Sequence, residues 1–440
     1  MQKDNNRLLF IAPSAYPLGG VATWLDYLIP GMKDMGWDII LGLTSGKFHD
    51  VAEYIKRHYL DNIVKIENKT GSPEGRIRNI INALKAVHAE IVCGVNIPDT
   101  YAAVERVRAK NEYFPKVVMT IHGIQPDIYE DAKNYRQVLD AVICTNKLAC
   151  KLAEEESGIK PDRIYYAPYG VAIPDKINPP KLSEGKLRIA YSGRFDHFQK
   201  RVCDIPDILL HLRKRGILFE FLVAGGGPAE NDFIDQVKDL GLLKEVNFLG
   251  SLSYEDLVQK VYQACDILLI TSFWETGPIV AWEAMSYGMA VVTSNYIGSG
   301  LEGGLKDKLN CLMFPVGDTA KAASCIEMLA EIGIRKRLVT QGYELVRKRY
   351  THDESVHFWE EALRKIIALP PRKTFVKAER PQAAGRLDTL LGVRKAEAVR
   401  RLVGKRFIHD DPGGEWPHSY GKRREDDKDF WKYAQAMDKA

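Results

Sequence analysis

The chain has 440 residues, of which 45% are hydrophobic and 27% are charged. This length is too great for one typical domain core and suits two α/β domains with an extension. The composition is that of an ordinary globular protein, and the absence of an apolar run of about 18 residues predicts no transmembrane helix. The first residues lack the apolar stretch and cleavage site of a signal peptide, so we expect a cytoplasmic protein.

Seven cysteines are spread along the chain, at positions 93, 144, 150, 203, 265, 311 and 325. None belongs to a CxxC pair, and the odd number argues against a disulfide framework or a zinc site. We therefore expect buried free thiols and no metal centre.

The positive charge is concentrated near the C-terminus. Net charge is +4, and residues 371–440 carry 17 Lys+Arg against 11 Asp+Glu, while the rest of the chain is slightly acidic. The basic excess therefore belongs to an extension and not to the body of the protein. We expect no nucleic-acid partner, because no nucleic-acid-binding motif accompanies the charge.

Short apolar runs alternate with helical patterns, which is typical of βαβ units and parallel sheets. In the first half they predict strands at Arg7–Ser14, Trp37–Leu43, Ile91–Val95, Lys116–Ile121 and Ala141–Thr145. A helix is predicted from Val21 to about Met35, directly after Gly19 and Gly20. The apolar positions are mostly consecutive, as in strands that are buried on both faces.

A polar, Pro-rich segment at 174–181 is interpreted as an interdomain linker. After it, strands are predicted at Leu187–Ser192, Phe219–Ala224, Val246–Leu249, Ile267–Thr271 and Ala290–Ser294. Helices are predicted at Glu230–Leu240, Tyr254–Ala264, Ile279–Tyr287 and around Asp353–Ile367.

This order predicts an α/β protein with two Rossmann-like doubly wound domains facing a cleft. We place an N-terminal domain at 1–175, a C-terminal domain at 186–350, a helix at 351–370 returning toward the first domain, and a basic polar extension at 371–440. Ligands of such sheets bind beyond the carboxyl ends of the strands. With two facing domains, a shared cleft is the expected site.

Two glutamates eight positions apart, Glu275 and Glu283, bracket a predicted strand–loop–helix junction. The segment Thr276-Gly277-Pro278-Ile279 is predicted to open the helix, where free N–H groups and the positive end of the helix dipole suit a diphosphate. Glu283 is predicted about two turns further on, on the same side. A carboxylate there can accept two hydrogen bonds from a ribose diol.

Followed by Gly288-Met289-Ala290-Val291-Val292, this Glu-x7-Glu pattern resembles the family-4 retaining glycosyltransferases of the GT-B fold, over roughly residues 7–368. The resemblance implies transfer of a hexose-type sugar from a UDP- or GDP-linked donor, with retention and without metal or cofactor. The acceptor is unidentified: a glycan, a lipid-linked sugar or a protein. The pathway implied is synthesis of glycans, glycolipids or cell-surface polysaccharides.

The resemblance also implies residue roles. Arg194 and Lys200 are expected to bind the donor diphosphate, which gains negative charge as it departs. Glu275 is expected to bind hydroxyls of the transferred sugar, and His122, after the strand 116–121, to position that sugar. The residues expected to contact the donor are Gly19, Gly20, Gly193, Gly250, Thr276, Gly277, Pro278, Ile279 and Glu283.

A second glycine pattern, Gly298-Ser299-Gly300-Leu301-Glu302-Gly303, formally matches GxGxxG. It lies late in the second domain, and no strand ending in Asp or Glu follows about 20 residues on. We interpret it as a flexible cleft loop and not as a dinucleotide site.

Three other functions stay open: a nucleotide-sugar epimerase, a non-catalytic sugar-nucleotide-binding protein, and a phosphorylase-like enzyme with pyridoxal phosphate. The extension is equally open. Residues 372–406 hold eleven basic and three acidic residues, and a rough apolar stripe runs among them. This segment predicts either peripheral contact with an anionic membrane, a helix packed on the protein, or a partly disordered tail.

Overall fold

A computed structural model of the chain describes residues 6–14, 20–45, 51–58, 61–111, 113–174, 185–370, 385–404 and 423–439. The chain divides into two compact units. The first comprises Met1–Ala167 and Val356–Trp431, and the second comprises Pro168–Ser355 and Lys432–Ala440. Each unit contains one parallel sheet.

The first unit contains a seven-stranded sheet in the order β3-β2-β1-β4-β5-β6-β7. Its strands are Arg7–Pro13 (β1), Asp38–Thr44 (β2), Ile63–Ile66 (β3), Ile91–Val95 (β4), Lys116–Ile121 (β5), Ala141–Cys144 (β6) and Ile164–Tyr166 (β7). The helices between them are Gly20–Asp34 (α1), Val51–His58 (α2), Pro73–Val87 (α3), Asp99–Ala109 (α4), Pro126–Tyr135 (α5) and Lys147–Glu155 (α6), with a short 3₁₀ turn at Pro161–Arg163.

The second unit contains a six-stranded sheet in the order β10-β9-β8-β11-β12-β13. Its strands are Leu187–Ser192 (β8), Phe219–Ala224 (β9), Val246–Gly250 (β10), Ile267–Ile270 (β11), Ala290–Ser294 (β12) and Leu312–Phe314 (β13). Its helices are Ile205–Lys214 (α7), Glu230–Asp239 (α8), Tyr254–Leu257 (α9), Ile279–Ser286 (α10), Thr319–Met328 (α11) and Ile332–Arg349 (α12), with a 3₁₀ turn at Val202–Asp204.

Four further helices complete the described chain. They are His352–Ile367 (α13), Arg386–Leu391 (α14), Val393–Val403 (α15) and Lys428–Lys439 (α16). None of the helices in the described ranges combines the length and apolarity needed to cross a bilayer.

The central strands were predictable because they are buried on both faces. Every residue of β4, β11 and β12 is buried, and these strands read as short continuous apolar runs. The strands that the sequence did not predict are β3, β7 and β13, and each is an edge strand of three or four residues. All three residues of β7 are only half-buried, so no continuous apolar run marks it.

One predicted helix differs from the structure, and the predicted linker lies mostly outside the described residues. The helix predicted over Tyr254–Ala264 is α-helical only at Tyr254–Leu257 and continues as a π-helical turn at Val258–Tyr262. Such a turn has i→i+5 hydrogen bonds, and a five-residue segment is too short for apolar periodicity to distinguish it from an α-helix. The predicted linker at 174–181 lies outside the described residues beyond Pro174.

All seven cysteines are free thiols. Five of them are buried, as expected, whereas Cys150 and Cys203 are half-buried. Burial raises the pKa of the Cys265 thiol from 9.0 to about 12. A thiol with so high a pKa stays protonated and behaves as a small apolar group.

The loop at residues 298–303, after β12, is hydrogen-bonded to the last helix, α16. The Asp438 carboxylate accepts hydrogen bonds from the backbone N–H groups of Gly298 (2.8 Å), Gly300 (3.1 Å) and Leu301 (2.9 Å). A Cβ atom at Gly300 would lie 1.9 Å from the Asp438 carbonyl oxygen, so only glycine permits this approach. The expectation of a flexible loop is therefore wrong, because a buried carboxylate holds its backbone.

We expect Asp438→Ala to lower the free energy of unfolding by about 2 to 3 kcal/mol, because three amides lose a charged acceptor. Asp438→Asn keeps one acceptor oxygen and should lose less. Urea denaturation of the full chain measures both effects. Asp429→Ala, an exposed carboxylate of the same helix, is the control. A loss in Asp438→Ala no larger than in the control would contradict the assigned role.

Candidate functional site

The order of strands in the second sheet reverses between β8 and β11, which are neighbours although β9 and β10 separate them in sequence. Because both strands run in the same direction, the loops after their carboxyl ends lie side by side. The β8 loop carries Arg194 and Lys200, and the β11 loop carries Glu275. Two hydrogen bonds join the loops: Thr271 donates its side-chain hydroxyl to the Lys200 carbonyl (2.7 Å), and the Phe273 N–H donates to the Gln199 carbonyl (2.7 Å).

Lys200 and Glu275 form an ion pair in which Lys200 Nζ lies 2.6 Å from Glu275 Oε1. Ser272 Oγ donates to the same oxygen at 2.6 Å. The Glu275 side chain is 7% exposed, and that of Lys200 is 22% exposed. This pairing brings together two residues that the sequence predicted for one site and adds Ser272, to which the sequence assigned no role.

Arg194 lies in the same loop, with its guanidinium Nη2 donating to Gln199 Oε1 at 2.7 Å. Tyr191 donates its hydroxyl to the Arg194 carbonyl, which holds the backbone of the loop. Among the described residues, Arg194 Nε is buried without a hydrogen-bond partner. A buried donor of this kind is costly unless an acceptor meets it, so it suits a ligand oxygen.

The segment after Glu275 differs from the prediction at one point. Helix α10 begins at Ile279, so Thr276, Gly277 and Pro278 precede it and are not its first turn. Gly277 has φ +155°, which L side chains rarely adopt, and a Cβ there would lie 3.1 Å from the Tyr169 ring. The backbone of this segment is shaped by glycine and proline and not by a helical turn.

Glu283 is buried inside α10, and its Oε2 accepts a hydrogen bond from the Tyr262 hydroxyl at 2.6 Å. Burial raises the pKa of Glu283 from 4.5 to about 7, and the hydrogen bond from Tyr262 opposes that rise. The Tyr262 ring stacks on Tyr287, with ring centroids 5.8 Å apart. The carboxyl group therefore takes up or releases its proton near neutral pH.

The predicted glycines have different surroundings. Gly193 has φ +155° and follows β8, and Gly250 has φ +64° at the end of β10, where its carbonyl accepts from the Gly225 N–H. Gly20 is the first residue of α1 and is exposed. Gly19 lies outside the described residues.

His122 belongs to the first unit, directly after β5. It is buried, and its ring centroid lies 4.7 Å from that of Trp24, which in turn lies 4.8 Å from that of Trp359. Burial lowers the pKa of His122 from 6.5 to about 3. The imidazole is therefore neutral at physiological pH and cannot supply a positive charge there.

Sequence reasoning missed Tyr262, Ser272, Gln199 and Tyr191, the residues that hold the predicted ones in place. Three of them contact a residue three to five positions away, and Tyr262 contacts Glu283 21 positions away, but no motif links these residue types to the site. Among the residues that the structure covers, no group of three or more His, Cys, Asp or Glu is placed to hold a metal ion. Metal independence stays a prediction.

The family of proteins described as glycosyl transferases group 1 matches residues 173–344, which contain Arg194, Lys200, Glu275 and Glu283. The match covers most of the second unit, so this part of the chain is similar to that family. The chain resembles solved GT-B glycosyltransferases over both units, so its fold is GT-B.

Curated relatives match parts of the chain. EpsF of Bacillus subtilis (strain 168), which is named as a glycosyltransferase, is 28% identical over 140 residues, covering 32% of this chain and 35% of EpsF. A Campylobacter jejuni protein is 28% identical over 218 residues, covering 47% of this chain and 57% of that protein. Its name is GalNAc-α-(1→4)-GalNAc-α-(1→3)-diNAcBac-PP-undecaprenol α-1,4-N-acetyl-D-galactosaminyltransferase. The chain thus spans 35% to 57% of the length of these relatives.

Solved structures resemble the chain over a greater length. The lipopolysaccharide outer core galactosyltransferase WaaB has a TM-score of 0.65 at 19% identity, covering 81% of this chain and 99% of WaaB. Anabaena HepE, in complex with UDP and glucose, has a TM-score of 0.66 at 18% identity, covering 81% of this chain and 99% of HepE. At these identities the likeness shows the fold alone.

We expect Glu283 to make stability depend on pH. Its pKa is raised in the folded chain, so the native state keeps a proton that the unfolded chain releases above its ordinary pKa of 4.5. The free energy of unfolding should therefore fall as pH rises from about 5 to 7 and then level off. Glu283→Gln removes this slope, and urea denaturation across the pH range measures it.

Glu327→Gln, at an exposed glutamate of α11, is the control and should keep the wild-type slope. An unchanged slope in Glu283→Gln would show that Glu283 is not the titrating group.

Proposed function

We propose that this protein is a metal-independent, retaining glycosyltransferase of family 4 that takes a hexose-type sugar from a UDP- or GDP-linked donor. The observation that carries the proposal is that Arg194, Lys200 and Glu275 lie in two hydrogen-bonded loops, with Glu283 in the helix that follows, inside the segment that matches the glycosyl transferases group 1 family. The first three lie in loops after adjacent strands, where ligands of doubly wound sheets bind.

Arg194 and Lys200 are assigned to the donor diphosphate. The guanidinium offers the buried Nε donor, and Lys200 adds a point charge that Glu275 holds in position. As the sugar–phosphate bond breaks, negative charge moves onto the diphosphate, and fixed cations stabilise that charge more than they stabilise the intact donor. Without a metal ion, these two side chains supply the positive charge.

Glu275 and Glu283 are assigned different partners. Both observed bonds to Glu275 end on Oε1, and we assign Oε2 to hydroxyls of the transferred sugar. Glu283 is assigned to the ribose diol, whose two hydroxyls can donate to one ionised carboxylate. The segment between them contains Thr276, Gly277, Pro278 and Ile279, and in this proposal its backbone faces the diphosphate.

Retention follows in this scheme from attack by the acceptor on the face from which the diphosphate leaves. The leaving phosphate takes the acceptor proton, so no protein side chain acts as the general base. His122, being neutral, is assigned to positioning the sugar by hydrogen bonding. Gly19, Gly20, Gly193 and Gly250 are assigned to close backbone approach to the donor.

For the acceptor we propose a glycan or a lipid-linked sugar, in the cytoplasm, during synthesis of glycans or cell-surface polysaccharides. The support is the names of the relatives: one is a transferase for an undecaprenol-linked saccharide, and one is a lipopolysaccharide core galactosyltransferase.

We expect calorimetry without metal to show binding of UDP or GDP and no binding of NAD. Arg194→Ala should weaken that binding by about 10- to 100-fold, because a charged hydrogen bond to phosphate is lost. The matched control is Arg201→Ala, since Arg201 lies in the same loop but pairs with Asp204 at 2.7 Å. Equal effects in both variants, or binding of NAD alone, would overturn the assignment.

A second experiment uses the raised pKa of Glu283. Because the ionised carboxylate is the better acceptor for ribose, affinity for the nucleoside diphosphate should rise with pH through about 7. Tyr262→Phe removes a hydrogen bond that lowers the pKa, so the midpoint should move to higher pH. Glu283→Gln should abolish the dependence. A midpoint that is the same in wild type and Tyr262→Phe would contradict the role of Glu283 in binding.

A further inference from the structure

Helices α14 and α15 form a helical hairpin, residues 386–403, which we call the tail hairpin. Its acidic side chains face inward. Glu397 accepts hydrogen bonds from Ser72 (2.6 Å) and Thr70 (3.0 Å), just before α3, and lies 3.1 Å from Arg78. Asp388 pairs with Arg400 within the hairpin, and both side chains are buried. Glu397 thus binds the tail hairpin to residues near α3, and Asp388 joins the two helices of the hairpin through Arg400.

Both helices of the tail hairpin also carry exposed large apolar side chains. Leu402 is 88% exposed, Leu390 is 80% exposed and Val403 is 69% exposed, and these are the highest values among the large apolar side chains of the described residues. On α15, Ala398 and Leu402 lie on the side opposite the buried Ala396 and Arg400, by the helical period of 3.6 residues. Single exposed leucines are common on proteins, but such a group within 18 residues is not.

The exposed charges of the tail hairpin all have one sign. Its exposed ionisable side chains are Arg386, Arg394, Lys395 and Arg401. Lys395 lies on the same side of α15 as Leu402, seven positions away, and Arg394 and Arg401 flank that side. Because Asp388 and Glu397 are buried, no exposed carboxylate among the described hairpin residues offsets this charge.

We propose that the tail hairpin docks the protein on an anionic lipid bilayer. Apolar side chains enter the boundary between headgroups and acyl chains, while basic side chains bind anionic headgroups. Stable peripheral binding needs two such signals together, and this surface supplies both. A second copy of the chain is the less suitable occupant, since two faces with four exposed basic side chains each would repel.

This docking does not depend on the proposed transferase activity, so each can fail without the other. Together they place the donor-binding domain of the protein at the surface where acceptors anchored in lipid lie.

The test is sedimentation of the full chain with large vesicles. One set contains phosphatidylcholine alone, and the other also contains about a third phosphatidylglycerol, which gives the negative surface that basic side chains seek. We expect binding to the anionic vesicles only, and weaker binding at high salt, because salt screens the charges.

Two double variants separate the signals. Leu390→Asp/Leu402→Asp should abolish vesicle binding, and Arg394→Glu/Lys395→Glu should lower the partition coefficient by at least about tenfold. The matched controls are Leu218→Asp, at a leucine 68% exposed in the second unit, and Arg347→Glu/Lys348→Glu, an exposed basic pair on α12. All these positions are exposed, so the thermal midpoint and nucleoside diphosphate binding should not change.

The proposal would be overturned if the wild-type protein did not sediment with anionic vesicles. So would hairpin variants that bind vesicles as well as their controls do. Concentration-dependent dimerisation that Leu390→Asp/Leu402→Asp abolishes, without vesicle binding, would assign the face to a second copy of the chain instead.

Discussion

The candidate site depends on the reversal of strand order between β8 and β11. Parallel strands present their carboxyl ends at one edge, so neighbours in the sheet share that edge even when other strands separate them in sequence. Lys200 and Glu275, 75 residues apart, meet at 2.6 Å for this reason. The pair in turn sets the geometry on both sides of it: Ser272 and the β11 loop on one side, and Gln199 with Arg194 on the other.

The two glutamates of the motif have been given unlike environments. Glu275 meets a cation and a hydroxyl, whereas Glu283 meets only the Tyr262 phenol in a buried setting, and its pKa rises to about 7. The same residue type can therefore differ in its protonation behaviour at two positions eight residues apart, because the environment shifts the pKa of each carboxyl group. If Glu283 binds the donor as proposed, its ionisation near neutral pH couples donor affinity to pH.

The C-terminal segments also contain buried carboxylates that accept hydrogen bonds from other parts of the chain. Asp438 binds three backbone amides beside the second sheet, and Glu397 binds Ser72 and Thr70 beside α3 in the first unit. Both buried carboxylates meet hydrogen-bond donors, and the inward position of Glu397 and Asp388 leaves the exposed charges of the tail hairpin positive. A buried acidic residue of the basic extension thus contacts the first unit, while exposed basic side chains can bind an anionic partner.

By itself the sequence determined the alternation of buried strands and amphipathic helices, since the apolar period is written in neighbouring residues, and with it two doubly wound units and the loops that carry Arg194, Lys200 and Glu275. It did not reveal the short edge strands, such as β7, because half-buried residues leave no apolar run. Only the tertiary structure decided that Tyr262 holds Glu283, that Asp438 fastens the glycine loop, and that the acidic residues of the tail hairpin face inward. Each of these is a contact between residues distant in sequence, and local patterning carries no information on which distant partner will arrive.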